Sequence, residues 1–322
     1  MSSESALTKC SVAPRARKRR NRFWGALAGV FLVLALAASA SAVYAWQQLK
    51  TNEAFLNATL KRATEIVDEA VKQAEKYNVP RTATLALLDK AEGIFDDMAQ
   101  YGQPTPELRY RKAWMLIQFA RNYRILGDTG KQLARANEAH RLLAGLAAQK
   151  PNDVTYQESL SAAFDEVGDV RVAQGNLTEA LKSYRDSLAI MERLARTDPS
   201  NAGWQRGLTA VNERLGIVYK GRGETDEAKA AFQRALAIYD NLTARFPDDT
   251  LALVNSTVPL IRLGELGPDG RAYLQKALTI LKQLDEAGRL EPRRKSSIAQ
   301  IEAQLARLQE EHPPEADLQS AR

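Results

Sequence analysis

Imidazole and thiol are scarce in this chain of 322 residues, which holds two histidines, His140 and His312, and a single cysteine, Cys10. One thiol makes neither an internal disulfide nor a metal cluster. No apolar run precedes Cys10, so a lipid-modified cysteine of the lipoprotein type is not expected. The sequence has no Gly-rich phosphate loop, no His-Glu-x-x-His, no cysteine pair and no Gly-x-Ser-x-Gly. The acidic pairs Asp96-Asp97, Asp248-Asp249 and Glu310-Glu311 fall at expected helix ends or turns, where carboxylates are solvated or act as caps. Four glycosylation-type triplets begin at Asn57, Asn176, Asn241 and Asn255; three lie in expected helices, and no role is assigned to them. The reading is therefore of a protein that is not an enzyme, with no catalytic residue, cofactor or metal.

Charge is unevenly placed. Residues 1–22 hold Lys9, Arg15, Arg17, Lys18, Arg19, Arg20 and Arg22 against one acid, Glu4, and so account for the whole net charge of +6. The rest of the chain is neutral, which removes the electrostatic footprint that nucleic-acid binding needs.

Residues 23–46 (FWGALAGVFLVLALAASASAVYAW) carry no charge. At a helical rise of ~1.5 Å per residue such a run spans about 36 Å, enough for a hydrocarbon core of ~30 Å. Trp24 stands at one end and Tyr44 and Trp46 at the other, where amphipathic rings favour the membrane interface. The basic block before it places residues 1–22 in the cytoplasm and everything after it outside. The expectation is a signal anchor in the inner (plasma) membrane, with repeats on the periplasmic or extracytoplasmic side. The alternative is a cleaved signal: Ala38-Ser39-Ala40 and Ala40-Ser41-Ala42 have the small-x-small form, and cleavage near Ala42 would leave a periplasmic or secreted protein.

The elements after residue 46 are helical. Ala, Leu, Glu, Lys, Arg and Gln dominate, and no stretch alternates long enough for a strand. A 48-residue frame runs through them: Pro151, Pro199 and Pro247; Gly127, Gly175 and Gly223; Gly168, Gly216 and Gly264. In the same frame Ala180 matches Ala228, Tyr184 matches Phe232, and Leu188-Ala189-Ile190 matches Leu236-Ala237-Ile238. The prolines end helices and Gly175 and Gly223 suit reversals between them. A helical glycine such as Gly168 is tolerable where a neighbouring helix packs close. Each unit thus reads as two antiparallel helices, for example about 154–174 and 177–197.

These residues resemble the tetratricopeptide repeat. Leu215-Gly216, Tyr219, Ala228, Phe232 and Ala235 follow its pattern fully; Phe164, Val167-Gly168, Ala180 and Tyr184 follow it with Arg171 and Ser187 as departures. The period is longer than the usual one, and YRDSLAIME with the segment from Asn201 to Arg206 is similar to long-helix repeats that follow a transmembrane helix in bacterial signalling proteins. The resemblance implies an all-α, right-handed superhelical solenoid of helix pairs after one transmembrane helix. Its parts would be a cytoplasmic tail (1–22), the membrane helix (23–46), a degenerate opening pair (47–104), repeats (105–291, in units of about 105–151, 152–199, 200–247 and 248–291), a capping helix (292–310) and a disordered tail (311–322).

In such repeats the first helix of each pair lines the concave side. Counting from the matched glycines places Trp114, Arg121, Arg124, Asp165, Asp169, Glu213 and Lys220 there, as a mixed-charge groove for a protein partner. Relatives that bind chaperone tails use a lysine and asparagine clamp on this side. Ile117, Asp165 and Glu213 occupy its lysine row, so that activity is not expected. Trp114 and Trp204 are expected in the core. The function implied is a membrane-anchored, extracytoplasmic interaction scaffold or adaptor. The alternative is a ligand-sensing subunit whose output domain sits on a partner, since 22 residues ahead of the apolar run are too few for one.

Overall fold

The computed structural model describes most of the chain from Arg62 to Glu311; residues 1–61, 64, 68, 75–76, 78, 102–104, 268–269 and 312–322 lie outside the described set. The apolar segment 23–46, the basic tail and the final residues are therefore among those not described. Among the described residues no helix is long and apolar enough to cross a membrane, and none forms a strand.

The chain divides into two compact units after Met115. In the first, helical turns within 62–74 precede α1 (Arg81–Tyr101), and Val71, Ala74 and Leu88 are buried. Helix α2 (Pro106–Leu126) begins in this unit and runs into the next. The second unit continues with α3 (Thr129–Gln149), α4 (Val154–Ala173), α5 (Leu177–Thr197), α6 (Ala202–Gly221), α7 (Thr225–Arg245), α8 (Thr250–Gly264), α9 (Gly270–Glu286), a 3-10 turn (Pro292–Arg294) and α10 (Lys295–Glu311). From α3 to α10 each helix packs against the next along the chain.

The helix starts obey the frame seen in the sequence. Pro106, Val154, Ala202 and Thr250 open α2, α4, α6 and α8 at 48-residue intervals, as Thr129, Leu177 and Thr225 open α3, α5 and α7. Asp128, Asp153, Asn176, Asn201 and Asp249 cap these starts, each accepting the backbone N–H three residues on. The reversals turn on Gly127, Gly175 and Gly223, whose φ values of 67°, 75° and 78° lie where only glycine sits without strain. In each, the amide after the glycine reaches back to the carbonyl five residues earlier, as from Asn176 to Arg171, which closes the helix end.

Close packing explains the helical glycines. A Cβ on Gly168 would lie 2.3 Å from the Tyr184 ring, and one on Gly216 would lie 2.5 Å from the Phe232 ring. The second helix of each pair thus lays its aromatic directly on the backbone of the first. Core clusters then cross from pair to pair. Tyr184 and Met191 of α5 share one with Val211 and Leu215 of α6, and Phe232 and Leu236 of α7 share another with Val254 and Leu260 of α8. Ile301 of α10 and Leu290 close the far end of the second cluster, while Gln300, Glu302 and Arg307 face outward.

Candidate functional site

The first helices α4, α6 and α8, with the part of α2 beyond Met115, are tied together by ion pairs, four of which join residues 45 apart. Arg121 Nε donates to Glu166 Oε1 at 2.8 Å, and Arg124 pairs with Asp169. Arg214 Nε donates to Asp169 Oδ1 at 3.0 Å, and its Nη1 lies 3.4 Å from Asp165 Oδ2. Lys220 Nζ donates to Glu265 Oε2 at 2.5 Å, and Arg262 approaches the same carboxylate at 3.3 Å. Forty-five is the repeat length less about one helical turn, so each side chain reaches one turn along the neighbouring first helix.

Asp169 is the centre of the network. Besides Arg124 and Arg214 it accepts from the Tyr184 hydroxyl at 2.7 Å. The ring that covers Gly168 therefore also places a donor on the next residue of the first helix. One repeat later Phe232 covers Gly216, and Ile217 stands where Asp169 stood. The hydroxyl and its acceptor are absent together. Beside this cluster the Ser161 and Ser187 hydroxyls share a hydrogen bond of 2.8 Å between α4 and α5.

Burial tunes these groups. Removal from water pushes the Asp165 carboxyl up to about 6, against the opposing pull of Arg214. Burial likewise pushes Glu213 up to about 7, opposed by Arg214, Tyr239 and Arg262. It raises the Tyr239 phenol to about 12, with the Glu213 charge adding to the effect. Burial works against the charge of Arg214, but Asp165 and Asp169 outweigh it and raise its pKa. The His140 imidazole, 4.5 Å from the Phe164 ring, is held below its usual range by burial, which Asp186 partly offsets.

Several groove residues named from the sequence thus come together, but as a self-paired network. Arg121, Arg124, Asp165 and Asp169 converge around Arg214 and Glu166, two residues the sequence reading passed over. Lys220 meets Glu265. Asp165, Asp169 and Glu213 are sunk below an open surface, and Ile117 is fully buried. Trp204 packs half-buried against the core as expected, whereas Trp114, in the first unit, is 37% exposed, a correction to its expected core position. One signal was available for the missed partners: opposite charges recur one turn short of the 48-residue frame.

Among the described residues no group of three or more His, Cys, Asp or Glu side chains is arranged to hold a metal ion. Residues 213–241, from Glu213 through the body of α7, match the family model of the tetratricopeptide repeat. That stretch is a tetratricopeptide repeat, and it lies within a stack of helix pairs of like spacing.

Similar solved structures include BtubC (BKLC) from P. vanneervenii, at 17% identity over 72% of this chain and 94% of that one, with a TM-score of 0.46. A thermophilic tetratricopeptide repeat protein of Thermus thermophilus gives 18% identity, 74% and 98% coverage and a TM-score of 0.38. The nuclear import adaptor Nro1 of S. pombe gives 10% identity, 74% and 98% coverage and a TM-score of 0.30. No curated protein matches the sequence.

Proposed function

We propose that this protein is a membrane-anchored scaffold or adaptor that holds a protein partner on its repeats, outside the cytoplasm. The first-helix face carries the binding part of this reading. Its charged side chains are fixed by pairs that cross from one helix pair to the next, so little conformational entropy remains to be lost on docking. The right-handed superhelical path implied by the resemblance, the anchor expected at 23–46 and the extracytoplasmic placement belong to the same proposal.

The test is affinity purification of the detergent-solubilised protein with and without residues 1–50. Capture of the same partners by both forms places recognition in the repeats. Loss of the partners with the basic tail would overturn that assignment. N-terminal sequencing of the mature protein tests the anchor, and a start at Val43 would refute it.

The ligand-sensing alternative draws on Asp165 and Glu213, buried carboxyls raised to about 6 and about 7 within the face that links the repeats. Under that reading the captured partner would carry a cytoplasmic output domain.

A further inference from the structure

We propose that the seams between the successive first helices α4, α6 and α8 are proton-operated joints, closed while Asp165 and Glu213 hold a proton and loosened when they lose it. The proposal goes beyond the scaffold reading and depends on no partner.

Asp165 and Glu213 hold the same place in successive repeats, three residues before Gly168 and Gly216. In the flanking repeats that place is taken by Ile117 and Ile261, three residues before Ala120 and Gly264. Ile117 is fully buried and Ile261 packs against the core, so a hydrocarbon satisfies the packing there. A carboxyl at the same place in the two middle repeats adds little to the core and costs desolvation. What it adds is a proton that can come and go.

Each acid meets an arginine of the next first helix, and the two arginines are themselves 48 residues apart. Arg214 Nη1 lies 3.4 Å from Asp165 Oδ2, and the charge of Arg262 on α8 acts on Glu213. Both arginines have a second acid: Arg214 donates to Asp169, and Arg262 approaches Glu265. They are therefore held in the seam whichever form the first acid takes. Asp165 Oδ1 and Glu213 Oε1 are buried and accept no hydrogen bond from any described residue. A proton neutralises such a carboxyl, whereas ionisation leaves charge on an oxygen without a donor.

Asp165 is faced by Glu166 and Asp169 on its own helix, by Ser187 on α5 and by Arg214 on α6. Tyr184 of α5 donates to Asp169, and Arg121 and Arg124 of α2 pair with Glu166 and Asp169. Asp165 thus shares the guanidinium from α6 with Asp169. Glu213 is faced by Arg214 on its own helix, by the Tyr239 phenol on α7 and by Arg262 on α8; Arg206 acts on Tyr239 in turn. At both acids burial is the largest influence, pushing the carboxyl up to about 6 and about 7.

The sign follows. At pH 5 both acids are protonated and the seams are closed. As pH rises through 6 and 7 they ionise, and parting of the first helices returns their charge to water. For a carboxyl at about 6 in the closed seam and near 4 in water, the open-to-closed ratio rises about tenfold between pH 5 and pH 8. Glu213, starting from about 7, moves its seam further. Stacked repeats open locally, because each contacts only its neighbours.

The experiment is amide hydrogen exchange of the full-length protein in detergent from pH 5 to pH 8, each rate divided by the intrinsic rate at that pH. Opening read on α4, α6 and α8 is expected to increase about tenfold or more over this range. In the double variant Asp165→Asn, Glu213→Gln the same helices should change by less than about twofold. The amides match the protonated carboxyls in charge and shape, and an unchanged melting temperature at pH 5 verifies the fold. Each single variant should silence one seam. Helix α10, packed against α9, is the internal reference and should exchange alike in parent and variant.

A parent profile that stays flat with pH overturns the proposal without any variant. So does an equal rise in the double variant. An equal rise at α10 overturns it too, since that would mark a loss of stability shared by the whole chain.

Discussion

Arg214 donates through Nε to Asp169 at 3.0 Å, from the first helix of one repeat to the first helix of the repeat before it. The contact joins two pieces of chain that share no turn and no hydrogen-bonded backbone. Arg214 also faces Asp165, so one guanidinium serves two acids on α4.

Removing that guanidinium leaves two largely buried carboxylates short of their cation. Arg214→Gln is expected to destabilise the protein by roughly 2–4 kcal/mol. Arg222→Gln, at an exposed pair with Glu224 two residues away, should change stability by less than about 1 kcal/mol. Urea unfolding of both variants measures the contrast, and similar losses in the two would contradict a special role for Arg214.

The helical glycines separate packing from propensity. Gly216→Ala adds a methyl 2.5 Å from the Phe232 ring and is expected to cost about 1–3 kcal/mol by overpacking. Gly145→Ala, on α3 with nothing within 4 Å of the added carbon, should instead stabilise by about 0.5–1 kcal/mol. Thermal unfolding should therefore move in opposite directions for one chemical change.

Asp165 gives a pH signature of defined sign. Its carboxyl titrates at about 6 in the folded protein and near 4 when unfolded, so between those values the folded state binds more protons. Its contribution to stability is present below pH 4 and is lost as pH rises through 6. Asp165→Asn stays neutral throughout, so its stability relative to the parent should rise from pH 5 to pH 8, by roughly 1–1.5 kcal/mol. Unfolding curves at several pH values check this, and a constant difference would show that Asp165 is not held up by burial.

Helix starts should respond to their caps. Asn201 accepts the Trp204 amide at 3.1 Å, and Asn201→Ala is expected to cost about 1 kcal/mol. Glu224 makes no side-chain cap at the start of α7, so Glu224→Ala should cost less. Hydrogen exchange at the first turns of α6 and α7 would locate the difference.

Much of this architecture is legible without coordinates, for local reasons. The pair read at about 154–174 and 177–197 is found at Val154–Ala173 and Leu177–Thr197. Capping side chains, left-handed glycines and prolines act within a few residues, so their spacing transfers directly to helix ends. A close neighbour at Gly216 was legible too, because a recurring glycine inside a helix signals one; that it is the Phe232 ring came from the structure.

The face was less legible. Counting along single helices gathered Arg121, Arg124, Asp165, Asp169, Glu213 and Lys220 as first-helix residues and pictured an open groove. It could not show Glu166 beneath Arg121, Arg214 between two acids, or Trp114 exposed.

What the sequence determined by itself is the helices, their 48-residue cadence, their turns and the neutrality of everything after the basic tail, since each depends on neighbours in the chain or on a simple count. Which charges pair across repeats, and which member of each pair keeps its water, was decided by the tertiary structure alone. Those outcomes depend on how adjacent first helices are rotated against each other, and on desolvation that no single helix can impose.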